Sequence, residues 1–383
     1  MRILHVGKYY APQRGGIERC TQDLAEWMRD RGHAAAALVH QPAGRRYAES
    51  ATVDGIEVVR AGCLAAPLYT PLSPAFALHL ARLLRSFRPD VLHLHLPNPS
   101  AFWALTSPAA RRLPWVVHWH AEVPTDTPDW RLRAAYRVYR PFEQALLRRA
   151  AAVVTTSEAY GAASRALAPW RAKTRAIPLG IGPAPAVAAA PPDWPAGTGL
   201  RLLAVGRFSA YKGFDVLLAA LARTPAAGLV LIGQGEEAPR LAALADRLGI
   251  AARVRFAGAV DDAVLAAAYV AADAVVLPSL DRGEAFGVVL LEAMRAGRAV
   301  IASDVPGSGI ASVVGDDAGL RVAPGDAGDL AAAIALLGGD PARRDRLGAA
   351  GRARWEARFT LDRSAAQFLD LYTEVIAGVS GRR

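Results

Sequence analysis

Glu284-Ala-Phe-Gly-Val-Val-Leu-Leu-Glu292, continued by Ala-Met-Arg-Ala-Gly297, is the stretch whose reading decides the fold. Upstream, Asp273-Ala-Val-Val-Leu-Pro-Ser279 is an apolar run with β-branched residues that reads as a buried parallel strand, ended by its proline. Downstream, Val288, Leu291 and Met294 keep helical spacing until Gly297 supplies a stop. The segment is therefore strand, short loop and helix.

Residues 284 to 287 then lie at a helix N-terminus, where unpaired N–H groups and the positive end of the macrodipole favour an anion. Gly287 allows close approach to the backbone. Glu284 occupies ground that an anion would take, a conflict resolved if it grips neutral hydroxyls while the amides of Phe286, Gly287 and Val288 hold a phosphate. Glu292 follows eight residues later. That is about 12 Å along a helix axis, too far to share one small group with Glu284. Two carboxylates so spaced suit a ligand with hydroxyls at both ends and phosphate between, such as a nucleotide sugar. The plain alternative is an amphipathic helix with solvated glutamates.

The pattern E-A-F-G-x-x-x-L-E-A-M-x-x-G, after Pro278-Ser279 and before the apolar run Arg298-Ala-Val-Ile-Ala-Ser303, resembles the donor-binding motif of retaining glycosyltransferases of family 4. The resemblance extends over nearly the whole chain. It implies an α/β protein of the GT-B type: two Rossmann-like doubly wound domains facing each other across a cleft, with the C-terminal helix crossing back to the first. The expected bounds are 1–182 for the acceptor domain, completed by about 362–383, a linker at 183–199, and 200–361 for the donor domain.

With 383 residues, the chain is long enough for two domains. Its two cysteines, Cys20 and Cys63, are too few for a disulfide framework and fit a reducing compartment. The start lacks a signal-peptide pattern, and no apolar run reaches the ~18 residues of a membrane helix. A cytoplasmic location is expected, with peripheral attachment to the inner face of the plasma membrane as a further expectation. The net charge of +10 is uneven: residues 1–190 hold 24 Lys+Arg against 13 Asp+Glu, and the remainder 21 against 22. A basic first half suits an anionic substrate or an anionic membrane surface. No zinc-finger spacing, RNA-binding signature or helix-turn-helix pattern is present, so no nucleic-acid partner is expected.

The chain opens with a strand, Arg2-Ile-Leu-His-Val-Gly7, then Tyr9-Tyr-Ala-Pro-Gln-Arg-Gly15-Gly16, then a helix from Ile17 to Arg31. The paired glycines either shape a turn or present bare amides ahead of the helix. The resemblance places Gly15 and Gly16 over the donor diphosphate, near the acceptor. Strands at 34–40, 56–61 and 90–95 and a helix at 74–87 continue the alternation of a parallel sheet.

In Pro114-Trp-Val-Val-His118-Trp-His120-Ala-Glu122 a period of two could set His118, His120 and Glu122 on one face. They read either as a metal site or as pocket-lining histidines. By resemblance His120 is the histidine that touches the donor sugar, although Ala121 and Glu122 depart from the usual Ser-Asp and leave the acceptor and sugar open. The run 129–149 mixes arginine with Trp, Tyr and Phe and contains Pro141, which should break or kink a helix. It reads as a solvated face, a contact at headgroup level, or a site for a polyprenyl diphosphate.

Ile181 to Gly199 is rich in Pro, Ala and Gly and reads as the linker. Leu200-Arg-Leu-Leu-Ala-Val-Gly206-Arg207-Phe-Ser-Ala-Tyr-Lys212-Gly213 then opens the second domain with a strand, a loop and a helix from about Phe214. Arg207 and Lys212 read as surface charge or as a clamp on a diphosphate, where charge grows as the sugar leaves. The resemblance favours the clamp. It also puts the loop at Ala259-Val260 near the base, and leaves the contact made by 304–309 open.

The expected function is thus a retaining, metal-independent hexosyltransferase without a cofactor, with nucleotide sugar and a saccharide or polyprenyl-diphosphate-linked acceptor as partners. The site residues are His120, Arg207, Lys212 and Glu284, with Gly15, Gly16, Phe286, Gly287, Val288 and Glu292 on the donor. GDP-mannose is the first donor expected, in surface polysaccharide or glycolipid synthesis. Alternatives are a UDP-sugar transferase, a sugar-nucleotide epimerase or phosphorylase, and a non-catalytic basic membrane-binding protein.

Overall fold

A computed structural model describes the chain from Met1 to Ser380 except residues 14, 68–69 and 124–128. Arg14 of the glycine loop and the last three residues of the expected first domain lie outside the described residues. Two compact units emerge, Met1–Gly180 with the C-terminal segment from Leu361, and Ile181–Thr360.

The first unit is built on an eight-stranded sheet. Its strands are β1 (Arg2–Val6), β2 (Ala34–His40), β3 (Glu49–Val53), β4 (Ile56–Ala61), β5 (Val91–Leu96), β6 (Trp115–Trp119), β7 (Ala152–Thr155) and β8 (Thr174–Ala176), in spatial order β3-β4-β2-β1-β5-β6-β7-β8. All neighbours are parallel except β3, which pairs antiparallel with β4. That hairpin was not expected from the sequence. Its signal is Asp54-Gly55, both at positive φ, the dipeptide that closes a tight turn of the hand that matches strand twist.

Helices Gly16–Asp30 and Leu361–Ser380 cover one face of this sheet. Trp27, Met28, Phe368 and Tyr372 bury against Ile3, Val91, Val116 and Val154. Trp27 Nε1 donates to Asp362 at 2.6 Å, and Arg175 forms two short bonds to Glu374. The terminal helix is therefore part of the first unit's core.

The run at 130–149 forms one helix, Trp130–Arg149, that continues through Pro141, so of the break or kink expected there the break does not occur. Proline removes one bond, to the carbonyl four residues back, and here that residue, Arg137, is exposed, so water can take the carbonyl.

The second unit carries a six-stranded, wholly parallel sheet with order β11-β10-β9-β12-β13-β14. Its strands are β9 (Leu200–Val205), β10 (Ala227–Ile232), β11 (Val254–Gly258), β12 (Ala274–Leu277), β13 (Ala299–Ser303) and β14 (Leu320–Val322). Leu202, Leu229, Val276 and Ile301 join Phe214, Leu217 and Ile334 from flanking helices in a dry core. Such near-continuous apolar strands are what a sheet covered on both faces requires. Segment 181–199 contains no helix or strand, yet it is not slack: Trp194 Nε1 donates to Leu202 O at 3.0 Å and Arg295 to Gly182 O at 2.9 Å.

In each sheet the chain works outward from one strand, returns, and works outward on the other side. The reversals fall between β1 and β5 and between β9 and β12. In doubly wound sheets the crevice beyond the strand ends at such a switch point is where ligands bind.

Candidate active site

The loops leaving β9 and β12 flank the switch point of the second unit, and they carry the expected site residues. Lys212 ends a short helical turn, Ala210–Lys212. The turn is fixed against the other loop by Leu280 N–H donating to Tyr211 O at 2.8 Å. Gly213 sits at φ +65 so close to Pro278 that an added Cβ would come within 2.1 Å of its carbonyl oxygen. Only glycine fits there, and the packing sets Lys212 against the loop after β12.

Lys212 Nζ meets Glu284 Oε2 at 2.5 Å, and Ser279 Oγ donates to the same carboxylate at 3.2 Å. Both charged side chains are nearly covered, 10% and 12% exposed. Burial alone would lower the Lys212 ammonium, but the adjacent carboxylate outweighs it and holds the group above the ordinary lysine value. Arg207 is exposed on the same loop, close enough for its charge to oppose that of Lys212. The two cations do share one locality, but the buried one is already paired with a glutamate that was assigned to hydroxyls.

The loop 284–287 is braced from behind. Ser308 Oγ donates to Glu284 O at 2.5 Å, Gly309 N–H to Ala285 O at 2.8 Å, and Arg282 to Gly307 O at 3.2 Å. The glycine-rich segment 304–309 thus serves as a support for the loop. Phe286 is buried with its ring edge-on to Phe359, so it offers a ligand its backbone only. Gly287 caps helix Val288–Arg295 at φ +86, and no side chain closes that N-terminus. The amides at 286–288 therefore keep the arrangement that suits an anion.

Glu292, one turn further along the helix, is engaged by Tyr269 OH at 2.5 Å. Burial first, and the carboxylate second, push the Tyr269 phenol well above its ordinary value, so it stays a donor. Sequence reasoning missed Tyr269, Ser279 and Ser308. Ser279 was within reach, directly after the strand-ending Pro278; Tyr269 lies on helix Asp262–Ala271 and carries no local signal.

In the first unit, helix Gly16–Asp30 begins beyond β1 at the other switch point, with Gly15 as its uncapped N-cap. Gly15 is extended, φ 177, a conformation open to any residue. A Cβ here would stand 2.2 Å from Glu18 Oε2, the end of a side chain that can turn aside. The sharp bend expected of the pair is not what Gly15 supplies.

His120 follows β6, donates its N–H to Leu96 O at 3.1 Å and is 5% exposed. Its Nε2 meets His95 Nδ1 at 2.9 Å, a partner the sequence reading did not assign. His118 stacks on His120 at 3.8 Å between centroids, but Glu122 does not join them. The strand ends at Trp119, and the alternation ends with it: the Glu122 carboxylate takes the Ser164 hydroxyl while its N–H donates to Tyr160 OH. Helix Trp130–Arg149 leaves Trp130, Val138 and Phe142 at least half exposed among the exposed Arg131, Arg133, Arg137 and Arg140. Among the described residues, no helix is long and apolar enough to cross a membrane.

Two doubly wound units, one with a nearly covered Lys–Glu pair beside an uncapped helix N-terminus at its switch point, form a framework suited to a ligand that carries phosphate. Comparison with known proteins makes this specific. Residues 194–354 match the glycosyl transferases group 1 family model, and residues 15–180 match the glycosyl transferase 4-like domain. The chain is 33% identical to a phosphatidyl-myo-inositol mannosyltransferase of Mycobacterium tuberculosis, over 99% of this chain and 98% of that one. It is 28% identical to the O-antigen chain mannosyltransferase C of Escherichia coli, over 99% and 100% respectively. Among solved structures, sucrose-phosphate synthase from Thermosynechococcus elongatus superposes with a TM-score of 0.81 at 27% identity, covering 98% of this chain and 99% of that one. The chain belongs to glycosyltransferase family 4, whose members have the GT-B fold, and it is a glycosyltransferase.

Proposed function

We propose that the protein transfers a hexose, mannose first, from a nucleoside-diphosphate sugar to a saccharide or lipid-linked saccharide acceptor, with retention of configuration and without a metal at the diphosphate. The observation that carries this is the Lys212–Glu284 pair at the second sheet's switch point, beside the open N-terminus of helix Val288–Arg295. A diphosphate arriving there takes the ammonium of Lys212, the guanidinium of Arg207 and the amides at 286–288. Glu284 is then released to sugar hydroxyls, and Glu292, held by Tyr269, takes hydroxyls at the nucleoside end.

In the reaction the bond from the anomeric carbon to the phosphate oxygen breaks, and a bond to the acceptor oxygen forms on the same face. The acceptor proton passes to the departing phosphate oxygen. Negative charge grows on that diphosphate, where fixed cations and amides stabilise it most. On the first unit, Gly15, Gly16 and His120 serve the acceptor and the donor sugar.

Mannose is supported by the mannosyltransferases among the relatives, and GDP is our first choice of nucleotide. Surface polysaccharide or glycolipid synthesis is supported by the same names. A lipid-linked acceptor also suits the exposed aromatic and arginine side chains of helix Trp130–Arg149, which would rest on the anionic inner leaflet. The test is transfer from GDP-mannose, with UDP-sugars alongside, to a lipid-linked saccharide in the presence of chelator, the anomeric configuration being read by NMR. An α-linked product from an α-linked donor supports the reading. An inverted product, or loss of activity with chelator that magnesium restores, overturns it.

A further inference from the structure

Five of the eight histidines meet in the core of the first unit. β1, β5 and β6 lie side by side, with His5 in register with His93 and His95 with His118. On the same face the preceding positions are apolar, Ile3, Val91 and Val116, packed on Phe368 and Tyr372. The face therefore starts as ordinary core and turns to imidazole toward the strand ends, where His120 completes the group. None of the five is more than 5% exposed.

A buried imidazole has one donor and one acceptor to satisfy, and each one left unmet costs about 1–3 kcal/mol. Tyr372 OH meets His93 Nδ1 at 2.6 Å, His5 Nδ1 meets His95 Nε2 at 3.1 Å, and His95 Nδ1 meets His120 Nε2 at 2.9 Å, with Thr21 Oγ1 3.4 Å from the same His95 nitrogen. Four nitrogens remain without a hydrogen-bond partner among the described residues: His5 Nε2, His93 Nε2 and both nitrogens of His118. Among the described residues, no carboxylate hydrogen-bonds to a ring of the cluster. A neutral imidazole carries one lone pair.

Neutral imidazole is the commonest metal ligand in proteins. Ligand atoms of His95, His118 and His120 all lie within 4.8 Å of one another. The 2.9 Å between His95 Nδ1 and His120 Nε2 fits two nitrogens at right angles on one ion; bonds of ~2.0–2.1 Å place such ligands about 2.9 Å apart. His5 Nδ1 lies at 3.1 Å from the far nitrogen of His95, the place of the outer partner that a metal-bound histidine normally has.

We propose that His95, His118 and His120 form a binding site for a first-row transition-metal ion of the class imidazole prefers, zinc, nickel or copper. With no oxygen ligand in the set, magnesium, calcium and manganese are excluded. The site is separate from the diphosphate site, shares only His120 with the residues proposed for the donor sugar, and rests on the histidine geometry whether or not the donor reading holds.

The test uses the full, tag-free chain, stripped with chelator, desalted and titrated calorimetrically with zinc and nickel, with cobalt as the visible-spectrum probe. One equivalent should bind at micromolar Kd or tighter, with a rise in Tm and ligand-field bands for cobalt, and magnesium should not compete. His118→Gln should weaken binding at least tenfold, and His79→Gln, outside the cluster, should leave it unchanged. X-ray absorption on the loaded wild-type protein should show a first shell with about three imidazoles, a result that does not depend on how the variant folds. Absence of stoichiometric binding, a folded His118→Gln protein that binds as wild type, or a first shell of oxygen alone would overturn the site.

Discussion

Lys212 and Glu284, 72 residues apart in the chain, lie 2.5 Å from one another at the ends of adjacent strands β9 and β12. Removing either one alone leaves an uncompensated charge in a nearly dry setting, which costs about 3 kcal/mol or more. Lys212→Ala and Glu284→Ala should each lower unfolding free energy by about that amount, while the double variant carrying both substitutions should lose less than the two singles combined. Chemical denaturation of the four proteins measures the coupling. Strictly additive losses would mean that the pair does not form.

The same residues should govern turnover. Lys212→Ala and Glu284→Ala are expected to reduce kcat by at least about two orders of magnitude, as for loss of a charge-stabilising donor. Wild-type rates in either protein, measured by release of nucleoside diphosphate, would remove these residues from the site.

Tyr269 tests the second carboxylate. Tyr269→Phe deletes one hydroxyl and leaves the ring packing in place, so the effect should fall on how Glu292 is held. A rise in donor KM of about tenfold is expected, the size of one hydrogen bond to a charged group, with kcat changed much less. A change in kcat at constant KM would place Glu292 elsewhere in the reaction.

Much of this site was open to sequence reading, because its residues sit where strands end and helices begin. Pro278 and Gly287 mark such points directly, and the buried strands between them are continuous apolar runs. What could not be read is side-chain pairing across distant segments. Nothing local to Asp262–Ala271 points Tyr269 at Glu292, and nothing near Lys212 says that its partner is Glu284 and not solvent. The histidine cluster is intermediate: alternation on 93–95 and 118–120 is visible, but that the two strands are neighbours is a property of the sheet order. Pro141 does not break its helix, since only one hydrogen bond is lost and the carbonyl left over belongs to Arg137, an exposed residue.

Glu143 gives a pH prediction independent of the site. It is 1% exposed on helix Trp130–Arg149 and hydrogen-bonded to Tyr136 OH at 3.0 Å. Burial, the largest cause, raises its carboxyl to about 7, against the usual carboxylate range. A folded-state value above the unfolded one means that the folded protein binds the proton more tightly. Its contribution is therefore complete below the ordinary carboxylate value near 4.5 and declines as pH rises to about 7. Glu143→Gln, which cannot ionise, should gain on the order of 1–3 kcal/mol relative to wild type at pH 8 compared with pH 5. Denaturation at both pH values checks this, and parallel pH profiles for the two proteins would contradict it.

The account as a whole depends on a diphosphate being held by the loops after β9 and β12. The most direct measurement is calorimetric titration of wild type and Lys212→Ala with GDP, UDP and ADP in the presence of chelator. We predict that at least one, GDP first, binds wild type with one site per chain and binds the variant at least about tenfold more weakly, a difference of about 1.4 kcal/mol. Binding of none of the three, or equal affinity in a folded Lys212→Ala protein, would contradict the account.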